Sequence, residues 1–192
     1  MLVSFPTPQP TLDTARLRLR AFTLDDAPDV RRYVSDRDVA AMTLSIPHPY
    51  PEDGAEKWIS THAAKYAESE LASFAITERE SDALVGAIGL HPEPAHGRAE
   101  LGYWIGKPFW GRGYATEAAR AVIAFGFESV GLNKIHAAVF IKNPASDRVI
   151  RKLGMKWEGR LREHDLKWGV YEDIDVYALL AREWDGRVED SG

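Results

Sequence analysis

Cysteine is absent from the chain of 192 residues, which excludes disulfide bonds, cysteine-ligated zinc and a cysteine nucleophile. No apolar run approaches the length of a membrane span. The first ten residues carry three prolines and no basic residue, unlike a secretory signal. We therefore expect a cytoplasmic protein with no membrane partner.

An excess of positive charge is also lacking, because 24 Lys and Arg face 29 Asp and Glu for a net charge of -5. Nucleic-acid binding favours a basic surface, so we expect no nucleic-acid partner. The six histidines are scattered, with no His-x-x-x-His spacing, and no metal site is predicted. The remaining composition, 45% hydrophobic and 28% charged, is typical of a single globular domain.

The most informative stretch, Ala99 to Phe127, has the pattern of a strand, a glycine turn and a helix. Residues 100–105 are apolar and aromatic, as in a strand. Gly111 and Gly113 bracket a tight turn, and helical periodicity begins at Tyr114. A turn that opens onto a helix points several unpaired N–H groups in one direction, which suits a phosphate.

Two common phosphate motifs do not fit this turn. A P-loop requires Gly-Lys-Ser/Thr, which is absent, and a dinucleotide fingerprint requires glycine or alanine where Thr116 stands. A nucleotide-binding protein is therefore disfavoured. Two glycines by themselves are also compatible with a turn that binds nothing.

The order of elements along the chain predicts a single mixed α/β domain. An N-terminal arm, residues 1–11, looks loose and is followed by a half-buried strand at 17–21. Two helices come next, the second starting at Pro51 with an apolar stripe that includes His62. A meander of strands at 71–77, 83–90 and 100–105 then precedes the central helix, with a turn predicted at 91–97. A strand at 134–141, a helix at 144–154 and two final strands complete the pattern.

Residues 110–118, WGRGYATEA, resemble the acetyl-CoA pyrophosphate loop of the GNAT superfamily of N-acetyltransferases. The similarity is greatest to the branch with the ribosomal-protein N-terminal acetyltransferases. Residues 12–19, Asn143-x-x-Ser146 and residues 152–155 are similar to further motifs of that branch. Pro108 and Met155 depart from the usual residues.

The resemblance covers residues 12–184, leaving a tail at 185–192, and implies the GNAT fold. That fold is a mixed, mostly antiparallel sheet flanked by helices, with splayed central strands. It also implies an acetyl-CoA-dependent N-acetyltransferase without a metal, acting by direct attack of a primary amine in a ternary complex. The residues that would hold the cofactor are Trp104, Ile105, Gly111, Arg112, Gly113, Tyr114, Ala115, Thr116, Asn143 and Ser146.

Three catalytic residues are implied in the same way. Ser146 matches the serine that protonates the thiolate, although a first-turn hydroxyl also serves to satisfy a backbone N–H. Asp165 aligns best with the acidic base of the branch, and Glu100 is the second candidate. The alignment can slip to Glu163, and His164 between them is the residue type that titrates nearest neutral pH. Each of these is otherwise a solvated strand charge.

The basic residues Arg148, Arg151 and Lys152 are candidates for the 3′-phosphate of coenzyme A, or are simply a solvated helix face. The acceptor stays open between a protein N-terminal α-amine, such as that of a ribosomal protein, and a small-molecule amine. Its pocket is assigned provisionally to His48, Tyr50, His91 and Trp168. A homodimer is compatible with the branch, and a non-catalytic acyl-CoA-binding module on the same fold is the alternative function.

Overall fold

One eight-stranded sheet forms the centre of the computed structural model, which describes residues 3–186. Its strands are β1 (Leu12–Asp13), β2 (Leu17–Arg20), β3 (Ala72–Glu78), β4 (Leu84–Glu93), β5 (Arg98–Ile105), β6 (Lys134–Phe140), β7 (Lys156–Lys167) and β8 (Val170–Leu180). Their order across the sheet is β1-β2-β3-β4-β5-β6-β8-β7. All neighbours pair antiparallel except β5 and β6, which are parallel, so the predicted mixed, mostly antiparallel sheet is confirmed.

Helices cover the two faces of the sheet unequally. They are α1 (Ala27–Val34), α2 (Arg37–Ala41), α3 (Gly54–Ser60), α4 (His62–Ala67), α5 (Tyr114–Ala124) and α6 (Pro144–Lys152). A π-helical turn, Phe125–Ser129, continues α5. The short helix α2 was not predicted from the sequence. Its start is capped by Asp36, whose carboxylate accepts the Asp38 N–H at 2.8 Å.

The main core lies between α5 and the sheet. One face of this helix is buried, with Ala118, Ala119, Val122 and Ile123 fully inaccessible. They pack in one cluster with alternate residues of the central strands, among them Leu101, Ile135 and Tyr177. A smaller cluster on the opposite face joins α1 and α3 to β3 and β4 through Val30, Ile59, Ala75 and Leu84.

The second predicted helix is broken in two. It begins at Gly54 and is interrupted at Thr61, where α3 ends and α4 starts. The hydroxyls of Ser60 and Thr61 donate to carbonyls three residues earlier, which competes with helical bonding. His62 packs as predicted, with its ring centroid 4.4 Å from that of Trp58, and burial lowers the pKa of His62 to about 4.

Two further expectations were wrong. The N-terminal arm is not loose, because Val3 and Phe5 are buried and Phe5 stacks on Tyr66 at 5.0 Å. The turn predicted at 91–97 is shorter, because β4 continues to Glu93 and pairs with Arg98 of β5. That pairing is closed by an Arg98–Glu93 ion pair at 2.6 Å. Most of the predicted tail, residues 187–192, lies outside the described residues.

The close pairing of β4 and β5 generates a stability prediction. A Cβ at Gly86 would lie 2.3 Å from the backbone oxygen of Trp104, so Gly86→Ala forces two strands apart. We expect a loss of about 1–3 kcal/mol, seen as a lower Tm in thermal unfolding. Gly102→Ala is the matched control, since nothing lies within 4 Å of a Cβ there. An equal loss in both variants would contradict this account.

Candidate active site

A gap between β5 and β6 lies at the centre of the sheet. The two strands pair only over Arg98–Glu100 and Lys134–His136. Beyond Glu100 and His136 they diverge, although β5 runs on to Ile105 and β6 to Phe140. The splayed central strands expected from the resemblance are therefore present.

The backbone of β5 presents alternate residues to this gap. The Gly106 N–H donates to the Val85 oxygen at 2.8 Å, which sets the phase of the β4–β5 ladder. Antiparallel alternation then directs the polar groups of Trp104 toward β4, and those of Tyr103 and Ile105 toward the gap. The Ile105 oxygen accepts a bond from the Trp110 indole at 2.7 Å. Trp104 and Ile105 are both predicted to hold the cofactor. The direction of their backbone groups favours Ile105, because those of Trp104 point toward β4.

The glycine turn lies between β5 and the N-terminus of α5. Gly111 and Gly113 adopt left-handed φ angles of 76° and 80°, which glycine reaches without strain. The Tyr114 side chain points inward and donates to Glu78 at 2.8 Å, so the turn presents the backbone at this position. The turn therefore lies at the start of α5, where the sequence predicted it.

An ionic clamp built on Glu117 fixes the turn to the first strands. Its carboxylate accepts bonds from the Thr14 hydroxyl at 2.6 Å, the Arg16 N–H at 2.8 Å and the Arg16 side chain at 2.7 Å. Arg16 also donates to the Arg112 carbonyl inside the turn. Burial alone would raise the pKa of Glu117, but these bonds outweigh it and lower that pKa. No sequence signal indicated this contact between residues a hundred positions apart.

Two hydroxyls meet on the α6 face of the sheet. The Ser146 and Tyr103 oxygens are 2.8 Å apart, and burial raises the pKa of Tyr103 to about 12. Asn143 caps α6 by accepting the Ser146 N–H at 3.1 Å. The Ser146 hydroxyl is therefore engaged by a side chain of β5, while its backbone N–H is satisfied by the cap. Tyr103 was not singled out in the sequence, where it is one of several aromatics in a strand.

A cavity of about 300 Å³ opens on the opposite face. All its lining residues belong to β5–β8: Arg98, Glu100, Lys134, His136, Ala138, Glu158, Leu161, His164 and Val176. A second depression, of about 690 Å³, shares Leu161 and His164 with it and adds Glu163 and Asp173. Glu100 and His164, two of the predicted candidates, thus meet in one cavity with His136, which the sequence reasoning missed.

A bulge in β7 decides which candidates reach the cavity. Leu161 pairs with Ile174 and Asp165 with Glu172, so three residues of β7 oppose Asp173 alone. Glu163 adopts a φ of 50°, and its N–H donates to the Asp173 carboxylate at 2.8 Å. Asp165 lies beyond the bulge and lines neither depression. Residues 161–165 contain no glycine or proline that would have indicated a bulge in the sequence.

The remaining candidates are distributed around these two sites. Arg151 is bound to Asp147 and to the Tyr177 hydroxyl, whereas Arg148 and Lys152 lie exposed on α6. The rings of His48 and Trp168 are 5.7 Å apart, which brings the 43–50 loop to the β7–β8 hairpin. The candidates Tyr50 and His91 line neither depression: Tyr50 packs in the smaller core cluster, and His91 is the cross-strand neighbour of Glu100 on β4.

Among residues 3–186, no group of three or more His, Cys, Asp or Glu residues is placed to hold a metal ion. None of the helices in the same range is both long and apolar enough to cross a membrane.

Comparison with known proteins identifies the family. A model of the acetyltransferase (GNAT) domain matches residues 16–156. The chain belongs to the GNAT family of acetyltransferases. It is 35% identical over 172 residues to the uncharacterized N-acetyltransferase YoaA of Bacillus subtilis, covering 89% of this chain and 97% of the relative.

Two other matches of this GNAT N-acetyltransferase are informative. A ribosomal-protein-serine acetyltransferase of Escherichia coli is 30% identical over 100 residues, covering 52% of this chain and 56% of the relative. A GNAT-family acetyltransferase of Bacillus anthracis superposes with a TM-score of 0.81 at 27% identity, covering 91% of this chain and all of that structure. The predicted family and fold are confirmed, and so is the resemblance to ribosomal-protein acetyltransferases.

The clamp at the glycine turn generates a pH-dependent prediction. Glu117→Gln removes the charge, and we expect a loss of about 1–3 kcal/mol in the free energy of unfolding at neutral pH. Because the folded-state pKa lies below the ordinary value of 4.5, this stabilisation is complete above 4.5 and is lost as the pH falls through the folded value. The difference from the unmodified protein should therefore shrink in acid.

Urea unfolding at a series of pH values checks this prediction. Glu56→Gln is the control, because Glu56 is an exposed carboxylate on α3. A stability difference for Glu117→Gln that stays constant down to acid pH would show that the charge of Glu117 is not what stabilises the turn.

Proposed function

We propose that the protein transfers an acetyl group from acetyl-CoA to a primary amine, by direct attack within a ternary complex. The observation that carries the proposal is the gap between β5 and β6. The Tyr103–Ser146 hydroxyl pair lies on one face of it, and the cavity with Glu100 lies on the other. A thioester held in the gap would meet a proton donor on one side and an amine on the other.

The residues around the gap suit the parts of coenzyme A. The turn from Gly111 to Thr116 offers backbone N–H groups at the start of α5 for the pyrophosphate. The polar backbone groups of Tyr103 and Ile105, together with the amide nitrogen of Asn143, suit the pantetheine amides. Exposed Arg148 and Lys152 are better placed than Arg151 for the 3′-phosphate, because Arg151 is already paired.

In the overall reaction two protons leave the acceptor nitrogen and one reaches the coenzyme A sulfur. The acceptor amine is an ammonium at neutral pH, so its N–H proton must leave before the nitrogen lone pair attacks the thioester carbonyl. We assign Glu100 as the group that takes this proton, since it lines the cavity and Asp165 does not. When the carbon–sulfur bond breaks, the thiolate takes a proton from Ser146, and the second N–H proton of the acylated nitrogen is lost to solvent through the open cavity. Ser146 then regains its proton from solvent by way of the Tyr103 phenol.

The acceptor that we propose first is a protein N-terminal α-amine. The relative from Escherichia coli is named for a ribosomal protein, and the two depressions together form a site open enough for a chain end. A small-molecule amine is the other acceptor compatible with the same chemistry. The chemistry of the gap is the same for both.

The glycine turn gives a binding prediction with a matched control. Gly111 and Gly131 share a φ of 76°, and nothing lies within 4 Å of a Cβ at either position. Alanine at either should therefore cost about 1–2 kcal/mol of stability. Only Gly111→Ala should weaken acetyl-CoA binding, by tenfold or more in calorimetry. Equal affinity of the two variants would argue against a pyrophosphate site at this turn.

The assignment of the base is tested by coenzyme A release. Acetyl-CoA is mixed with N-terminal peptides and small amines, and free thiol is followed with a colour reagent; the chain has no cysteine to interfere. Glu100→Gln should lower turnover by about 10²–10⁴-fold, and Asp165→Asn much less. The reverse order would return the role to Asp165. Binding of acetyl-CoA without release for any amine would favour the non-catalytic module.

A further inference from the structure

A half-buried imidazole in the cavity has no part in the reaction described so far. His136 belongs to β6 and pairs with Glu100 in the last register before the strands diverge. Its side chain lines the cavity beside Glu100. Its Nδ1 is buried and has no hydrogen-bond partner within residues 3–186. Buried polar atoms are nearly always bonded, so an exception calls for an explanation.

We propose that His136 is a positioning residue for the acetyl transfer. The His136 imidazole takes over from Glu100 the proton that leaves the acceptor amine. The inference rests on the proposed function, because it assumes that an amine is deprotonated in this cavity. It adds a residue that neither the motifs nor the family resemblance indicated.

The proton moves in two balanced steps. An ammonium N–H bond breaks as its proton binds a Glu100 oxygen, which leaves a neutral amine and a carboxylic acid. That proton then passes to the imidazole, which restores the Glu100 carboxylate beside a new imidazolium. The proton is then held by His136 on β6, away from the amine. It returns to solvent through the open cavity after the acetyl group has moved.

The surroundings of His136 keep the ring ready to accept a proton. Burial has the largest effect and lowers the pKa of His136, whereas Glu100 and Glu93 oppose it. The nearby cations Arg98 and Lys134 disfavour the imidazolium, but each is paired with a carboxylate. The other titratable groups lining the cavity are Glu158 and His164 of β7, and β8 contributes only Val176. The ring is therefore neutral at neutral pH, with a carboxylate beside it to stabilise the charged form.

The first measurement is the pH dependence of kcat, with saturating acetyl-CoA and an amine accepted in the release assay. Since the neutral imidazole is required, the kcat of the unmodified enzyme should rise with pH through the pKa of His136. His136→Gln should lower kcat by about 10–100-fold, abolish this acid limb and leave the KM for acetyl-CoA unchanged. His96→Gln is the control, because His96 is exposed on the turn before β5.

A second measurement needs no acceptor. NMR titration of the histidine Cε1–H signals, with His136 assigned from the spectrum of His136→Gln, should show that Glu100→Gln moves the His136 titration to lower pH. The inference is overturned if His136→Gln keeps the rate and the acid limb within about twofold, or if that titration does not move. Absence of amine-dependent release by the unmodified enzyme would instead overturn the proposed function, and the proton relay with it.

Discussion

The brevity of the parallel pairing between β5 and β6 is the constraint on which the rest of the site depends. Three residue pairs hold the strands together at one end, and their divergence opens a sheet that would otherwise be continuous. At the closed end, Ala99 and Ile135 are fully buried in the core beneath α5. The opening exposes backbone groups in the middle of the sheet, where a substrate can bond to them.

Each face of the gap is then equipped by a different part of the chain. On the α6 face, the Asn143 cap orients the first turn so that Ser146 meets Tyr103. On the other face, α1 and α3 cover β3 and β4, and the cavity lies over β5–β8. This separation suits the direct transfer that we propose, since a proton donor and the acceptor amine can approach the same thioester from opposite sides.

The sequence predicted the elements that local physics determines and failed where distant residues decide. The helical periodicity from Tyr114, the helix that starts at residue 144 and the glycine turn depend on neighbouring residues, and all three are confirmed. The length of β4 was underestimated because Glu93 is held by pairing with β5. The break at Thr61 depended on hydroxyl bonds that propensity alone does not rank.

The sequence by itself determined the family, the mixed sheet and the position of the glycine turn, because these follow from periodicity and from motifs of adjacent residues. Only the tertiary structure decided which side chains share the cavity. The β7 bulge brings His164 in and leaves Asp165 outside, and β5–β6 pairing sets His136 beside Glu100. Those outcomes depend on strand register, which is set by contacts between residues far apart in the chain.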